Sequence, residues 1–159
     1  CSSDLMAIAM LFPITAFAQA YVQTWDLVDS GKHLDYDGNS TYMSYINTGA
    51  ATWNAYKSGV IRKDSAFVVD DVYVSDVNAS NGWAGMTYSS GKIELNTYYM
   101  SGYSNSKKQN VATHELGHAL GLDHSTSTDV MDAAITGHTS TQALSQNDKD
   151  SYDAAYNNY

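Results

Sequence analysis

The sequence predicts a single domain of the α/β or α+β class, with helices packed around a largely sequestered sheet. Three observations predict it. The chain of 159 residues is long enough for one domain with a real core. Its composition, 43% hydrophobic and 16% charged residues, is that of an ordinary folded protein. The apolar periodicity runs strand, helix, strands, helix, irregular turn and a last helix.

Residues 1–20 read differently from the rest of the chain. An apolar run from Leu5 to Ala18 ends in Ala18-Gln19-Ala20, a small-x-small pattern typical of signal-peptidase cleavage. The run is shorter than the roughly 20 residues that a membrane span needs. No basic residue precedes it, so a buried helix or an uncleaved anchor stays open as an alternative. We expect a signal peptide at residues 1–20, a mature domain at 21–159, and a secreted, extracellular monomer without membrane attachment after cleavage.

The charge of the chain argues against one class of partner. A formal net charge of −9 argues against a nucleic-acid partner, because binding phosphates requires basic patches. Cleavage after Ala20 would remove Cys1, the only cysteine, so the mature chain would contain no disulfide. A domain of this size can be stabilised by its core alone, which is compatible with export.

The first half of the domain predicts a strand and then a helix. Residues 21–34 alternate apolar and polar side chains around a Ser30-Gly31 turn, as in a strand or hairpin arm. DYDGNS at residues 35–40 has carboxylates like those of a calcium loop, but the position of its glycine does not fit, so it reads as a polar turn. Ser40 or Thr41 would cap the helix that follows. Its apolar stripe, which we assign to the core, is Met43, Ile46, Ala50, Trp53 and Tyr56.

The rest of the chain predicts further strands and two helices. Ala66–Val77 is rich in β-branched and aromatic residues and predicts a central strand. GWAGMTY and KIELN flank a turn at residues 89–91 and predict a hairpin near a sheet edge. A helix follows Ser104, with Val111 four residues before Glu115 and with Leu116 and Leu120 on a neighbouring face. Leu144–Tyr156 predicts the last helix.

HELGHALGLDHS at residues 114–125 sets three histidines around one glutamate. His114 and His118 are four residues apart, so on a helix they share one face, with about 5–6 Å between their Cβ atoms. His124 is six residues further on and would point away if the helix continued. Gly121 can take the left-handed conformation that commonly ends helices, so the chain can reverse and bring His124 back to the pair.

Three neutral imidazoles in this arrangement predict a zinc site with an open fourth position, as in catalytic zinc sites. Glu115, beside the first ligand, is then the natural general base for a zinc-activated water. Histidines that only pack are a weak alternative, because a chance match to five fixed positions in a chain this long is on the order of 10⁻⁵ or rarer. A metal-binding helix without catalysis is the other alternative, and the intact Glu115 argues against it.

The residues around this motif resemble the matrixins, a family of metzincin zinc endopeptidases. Gly117 before the second histidine and Ser125 after the third match the family's pattern. Met131 lies where the family's Met-turn would pass beneath the zinc, and residues 144–156 are similar to the matrixin C-terminal helix. The resemblance covers residues 111–156. It implies a short, bacterial-type matrixin catalytic domain of the α+β class, with a mixed twisted sheet, an active-site helix and a C-terminal helix.

The sequence also departs from the family. Ala133 stands where matrixins usually have proline, and no tyrosine is present there to act as a further zinc ligand. His33 and His138 read as isolated surface histidines, so the family's structural zinc has no evident ligands, and we expect one catalytic zinc. Calcium stays open but has no supporting residues. The resemblance implies an extended protein or peptide substrate along the strand near Trp83–Tyr88.

Two other functions stay open beside a secreted zinc metalloendopeptidase, which the motif favours. In a secreted surface- or carbohydrate-binding module, the 13 tyrosines would form contact platforms, the metal would be structural, and Glu115 would be dispensable. A zinc amidohydrolase would act on another amide and would leave unfolded protein intact.

Overall fold

A computed structural model describes residues 19–64 and 70–159 of the chain. These residues form a five-stranded sheet in the order β2-β1-β3-β5-β4. The strands are β1 Leu34–Gly38, β2 Ile61–Lys63, β3 Val72–Val77, β4 Gly85–Tyr88 and β5 Lys92–Asn96. The helices are α1 Met43–Asn54, α2 Thr97–Met100, α3 Asn105–Ala119 and α4 Gln146–Tyr156, with a 3₁₀ turn at Ile135–Gly137.

The sheet is mixed, as the α+β prediction requires. Strands β2, β1, β3 and β5 pair in parallel, whereas β4 pairs with β5 in the antiparallel sense and lies at the edge of the sheet. The predicted hairpin is therefore confirmed, with Thr87 opposite Ile93 and Gly85 opposite Leu95. The prediction of a central strand is confirmed for Val72–Val77, while residues 66–69 of that stretch lie outside the described residues.

The core lies between the sheet and the two longest helices. Helices α1 and α3 pack against each other, and the indole nitrogen of the fully buried Trp53 donates a hydrogen bond to the backbone oxygen of Thr113 at 2.9 Å. In β3, Val72 and Val74 point into this layer and are buried, while Tyr73 between them is exposed. The fully buried apolar residues of the sheet are Leu34, Val72, Val74, Ile93 and Leu95.

The prediction of a strand or hairpin arm at residues 21–34 is wrong for most of that stretch. The Ser30-Gly31 turn is present and Leu34 begins β1, but among residues 21–33 only Val22 makes a bridge, and its partner is Leu122. The backbone of this segment bonds to the turn after α3, because Gln23 N donates to Gly121 O at 2.7 Å and Leu27 N donates to Ala119 O at 2.9 Å. The alternation therefore marked an extended segment that docks on α3 instead of folding on itself.

The prediction of a polar turn at residues 35–40 is also wrong, because most of DYDGNS belongs to β1. The Tyr36 side chain is buried, and the buried Asp35 is stabilised by two hydrogen bonds from Arg62 on β2, at 2.8 and 2.6 Å. Neither Ser40 nor Thr41 is the N-cap of α1, which begins at Met43 without a side-chain cap. Both hydroxyls donate instead to Asp76, at 2.5 and 2.7 Å, which ties the end of β1 to β3.

The C-terminal helix is confirmed, with a capping box in which Ser145 and Asp148 satisfy each other's backbone N–H groups. The expected signal peptide lies outside the described residues except for Gln19 and Ala20. Within residues 19–64 and 70–159, no helix is both long and apolar enough to cross a membrane.

Candidate metal centre and active-site cleft

Helix α3 and the turn after it bring the three predicted histidines together. Ser104 caps α3, and His114 and His118 lie on one face with their ring centroids 4.6 Å apart. Gly121 has a φ of 84°, the left-handed conformation expected at this helix end. The chain reverses there and brings the His124 ring to 4.8 Å from His118 and 5.3 Å from His114, measured between centroids.

The donor atoms of this cluster suit a zinc ion. One ring nitrogen from each histidine lies within 4.8 Å of the others, and His118 Nε2 is 3.2 Å from His124 Nε2. His114 Nδ1 lies 2.8 Å from the backbone oxygen of Val130, and His118 Nδ1 lies 2.9 Å from that of Leu122. A carbonyl oxygen only accepts, so His114 Nδ1 carries the hydrogen and its Nε2 is left with its lone pair for a metal.

Burial keeps the first two histidines uncharged, which metal binding requires. Desolvation lowers the pKa of His114 to about 3, and the neighbouring His118 adds to this effect. The pKa of His118 is also lowered, again chiefly by burial. Both rings are therefore neutral at pH 7, and a metal need not displace a proton from either one.

Glu115 lies next to the histidine cluster and is buried against β4. Desolvation raises the pKa of its carboxyl group to about 7, against the opposing effect of a hydrogen bond from Thr87. Thr87 Oγ1 is 2.7 Å from Glu115 Oε2 and 2.9 Å from the Glu115 backbone oxygen. Glu115 Oε1 passes against Gly85, where an added Cβ would be 2.5 Å from that oxygen.

The predicted Met-turn forms the floor below the histidines. Met131 is buried, and its sulfur packs against Gly117, where a side chain would collide with it and with Trp53. The fully buried Asp148 of α4 holds this floor, because its carboxylate accepts hydrogen bonds from the backbone N–H groups of Val130 and Met131 at 2.9 and 3.1 Å. The glycine before the second histidine thus makes room for the methionine beneath it.

The histidines and Glu115 open into a cleft of about 480 Å³. Its walls come from the segment before β4, from β4, from α2 and α3, and from the stretch after the Met-turn. The apolar and aromatic side chains that line it are Trp83, Met86, Tyr99, Tyr103, Val111 and Ile135. A cleft of this composition suits a ligand with apolar side chains.

An asparagine side chain holds the loop that carries Trp83. Asn96 is fully buried, and its Nδ2 donates to the backbone oxygens of Ala79 and Trp83 at 2.8 and 3.0 Å. Its Oδ1 accepts from the backbone N–H groups of Ala79 and Tyr98 at 3.2 and 3.1 Å. The hydrogen bonds of Asn96, at the end of β5, therefore fix the conformation of this loop.

Among the described residues, the other set of three potential ligands consists of Asp29, Asp35 and Asp71. Arg62 occupies both oxygens of Asp35, so this set does not resemble a cation site. The prediction for His138 as an isolated histidine is wrong, since its Nε2 lies 2.8 Å from Asp132 Oδ2 and its side chain is 19% exposed. His33 is half-buried and lies 3.7 Å from Asp29.

Sequence reasoning missed three polar residues of the site: Gln23 and Thr87, which line the cleft, and Asp148, which bonds to the Met-turn. Gln23 Nε2 lies 2.8 Å from His118 Nδ1 and 3.0 Å from the Leu122 backbone oxygen. Each of these residues is polar and stands in a stretch that predicts an extended or helical element. No spacing links any of them to the histidine motif, and polarity was the one signal available.

Comparisons with known proteins agree with the geometry. The family model of the matrixins matches residues 15–157. A search of curated proteins gave no match. Among solved structures, the crystal structure of archaemetzincin from Methanopyrus kandleri is similar, with a TM-score of 0.57 at 12% sequence identity over 82% of this chain and 99% of that one. At 12% sequence identity, this similarity is evidence for the fold alone.

Proposed function

The chain belongs to the matrixin family of zinc metallopeptidases, and from that premise we propose that it is a secreted endopeptidase in which Glu115 acts as the general base. The observation that carries the proposal is the placement of a buried carboxyl group beside three converging imidazoles in an open cleft. The family membership gives the class of chemistry, and this geometry supports the roles of the residues.

The histidine cluster would hold the metal and Glu115 would move the proton. His114, His118 and His124 would hold the zinc, which would supply Lewis-acid polarisation of the scissile carbonyl and a lowered pKa of the attacking water. A carboxylate oxygen of Glu115 takes a proton from that water as the water oxygen bonds to the carbonyl carbon. The same proton passes to the amine nitrogen when the C–N bond breaks, so Glu115 ends the cycle ionised.

The raised pKa of Glu115 suits this role. A general base works best when its pKa lies near the working pH, because it is then both ionised and basic enough to take a proton. Burial raises the pKa of Glu115 to about 7. Zinc bound beside the carboxylate would lower this pKa, so we expect activity to fall as the pH drops from neutral into the acid range, since a protonated carboxyl group cannot accept the water's proton.

The edge strand β4 supports an extended peptide as the substrate. Within residues 19–64 and 70–159, β4 pairs with β5 on one side and with no strand on the other. An extended peptide could add to that free edge through backbone hydrogen bonds and place its side chains in the apolar cleft. Recognition through the backbone is independent of side-chain identity, which suits hydrolysis within a protein chain.

Cleavage of unfolded casein, measured together with zinc content, tests the proposal. The wild-type chain should bind zinc and cleave casein, and Glu115→Gln should keep the zinc while its rate falls by about 10²–10⁴-fold. The only other glutamate, Glu94, lies on a strand and bonds to Tyr88, so Glu94→Gln is a matched control that should retain the rate.

The outcomes separate the rival functions. Zinc binding without cleavage of casein, but with hydrolysis of a small amide, would indicate an amidohydrolase. Zinc binding with no hydrolysis of either substrate would indicate a binding module with a structural metal. A Glu115→Gln variant as active as the wild type would contradict the assigned base.

A further inference from the structure

The side chain of Glu115 is enclosed by two residues of the edge strand. Gly85 and Thr87 are two positions apart on β4, so both face α3, and they contact the two oxygens of the same carboxylate. Oε2 lies 2.7 Å from the Thr87 hydroxyl, and Oε1 passes over Gly85, where no side chain interferes.

The Thr87 hydroxyl has one hydrogen and two acceptors within reach. Glu115 Oε2 is the nearer at 2.7 Å, and the Glu115 backbone oxygen is at 2.9 Å. An ionised carboxylate is the stronger acceptor, so the hydroxyl donates to Oε2 whenever Glu115 is ionised. That bond fixes a torsion that is otherwise broad in glutamate, because rotation about the last side-chain bond has shallow preferences.

From these contacts we propose that Thr87 is a positioning residue, which orients the Glu115 carboxylate for proton transfer. The proposal rests on the proposed peptidase function. It adds that one strand performs two tasks, since β4 would dock the substrate backbone along its free edge and hold the base through its inward face. Strand β4 would therefore position both the scissile bond and the Glu115 carboxylate that acts on it.

This arrangement predicts a specific kinetic signature. The Thr87 hydroxyl contacts Glu115, so its loss should affect the chemical step more than binding of the substrate. Partners of this kind typically cost 10–100-fold in activity when they are removed. We expect kcat to fall by about 10–100-fold in Thr87→Val, with KM within about twofold of the wild-type value.

The test uses the full chain loaded with zinc and a quenched fluorescent peptide that the wild type cleaves. Thr87→Val replaces the hydroxyl by a methyl group of similar volume, and Thr87→Ser keeps the hydroxyl and should retain most of kcat. Thr52→Val is the matched control, because the Thr52 hydroxyl donates only within α1, to the Thr48 backbone oxygen at 3.0 Å. Zinc content should be equal in all four proteins. If Thr87→Val does not fold, Thr87→Ala removes the same hydroxyl.

A double-mutant cycle separates positioning from a structural role. Once Glu115 is changed to glutamine, adding Thr87→Val should lower the residual rate by less than about twofold, because the carboxylate it orients is gone. A full 10–100-fold loss in that background, or an unchanged kcat in Thr87→Val alone, would overturn the inference while leaving the peptidase function intact. A wild-type chain that cleaves neither casein nor the peptide would overturn both.

Discussion

The two sides of the cleft are built from the sequence in different ways. The metal side, with three histidines and Glu115, comes from one helix and the turn that follows it. The strand side comes from β4, and its contact from Thr87 to Glu115 spans 28 positions in the sequence. The difference teaches that local geometry brings the three histidines together, whereas the tertiary fold sets the surroundings of the Glu115 carboxyl group.

The largest effect should come from removing a ligand on the metal side. His118→Ala should lose zinc affinity by more than the 10–100-fold that loss of an outer partner costs, and activity should fall below detection. Zinc bound per chain and peptide cleavage measure both. His33→Ala, which removes a histidine far along the chain, should keep both properties. A His118→Ala variant that keeps full zinc occupancy would break the assignment of the metal side.

The floor of the metal side depends on a residue outside the motif. Asp148→Ala should leave the backbone N–H groups of Val130, Met131 and Ser145 without their acceptor. Each buried donor left unpaired costs about 1–3 kcal/mol, so the free energy of unfolding should fall by about 3 kcal/mol or more. Urea denaturation measures this. Asp150→Ala, on the exposed side of the same helix, should change it by under about 1 kcal/mol.

A substitution in β4 should displace the Glu115 carboxylate without removing any of the three histidines. A Cβ added at Gly85 would lie 2.5 Å from Glu115 Oε1, so Gly85→Ala should displace the carboxylate. A misplacement of about 1 Å can cost about 10²-fold in rate, so kcat should fall by that order while zinc is retained. Gly137→Ala is the control, because its Cβ would have no neighbour within 4 Å. Zinc loss in Gly85→Ala would show that the two sides are not separable.

Lowering the pH should reduce the free energy of unfolding of the metal-stripped protein because His114 must become protonated. Protonation of Glu115, which is buried against β4, should oppose this loss. The pKa of His114 falls from 6.5 in the unfolded chain to about 3 in the folded one, so its stabilisation is complete above pH 6.5 and is lost as the pH falls. The pKa of Glu115 rises from 4.5 to about 7, so its stabilisation is complete below pH 4.5 and is lost as the pH rises through 7.

These opposite signs give a measurable difference between pH 6 and pH 5. Each group changes the free energy of unfolding by about 1.4 kcal/mol per pH unit in that window. In Glu115→Gln the opposing contribution is absent, so stability should fall with acid more steeply than in the wild type by about that amount. Urea denaturation of the metal-stripped proteins at both pH values tests this. Equal slopes would contradict burial of an ionisable Glu115.

The smallest effect should come from the methionine of the floor. Met131→Leu conserves volume and apolar character, and such swaps usually cost under about 1.5 kcal/mol. Peptide cleavage should stay within a fewfold of the wild-type rate and zinc should be retained. Loss of zinc in this variant would show that the Met131 sulfur does more than fill the space beside Gly117.

The metal side could be predicted from the sequence because its geometry repeats with the helix. The four-residue spacing put His114 and His118 on one face, and Gly121 ended the helix where the motif required. The hairpin at residues 85–96 was also predictable, from two short extended pieces around the Ser89-Ser90-Gly91 turn.

The residues from other parts of the chain that support the cleft could not be predicted from local spacing. Residues 21–33 alternate like a strand, yet their backbone partners are in the turn after α3, and alternation alone does not name a partner. DYDG looked like a turn because its carboxylates are polar, but Arg62 pairs with Asp35 inside the sheet. Thr87 and Asp148 act through contacts that only the folded chain brings together.

Zinc add-back tests the central claim most directly. Metal-stripped protein would be titrated with zinc while cleavage of the fluorescent peptide is followed, with Glu115→Gln titrated in parallel. We predict that the wild-type rate rises linearly and saturates at one zinc ion per chain, and that Glu115→Gln binds the same amount without gaining a comparable rate. A metal-stripped protein that cleaves the peptide at the full rate, or a Glu115→Gln variant that recovers with zinc as the wild type does, would contradict the account.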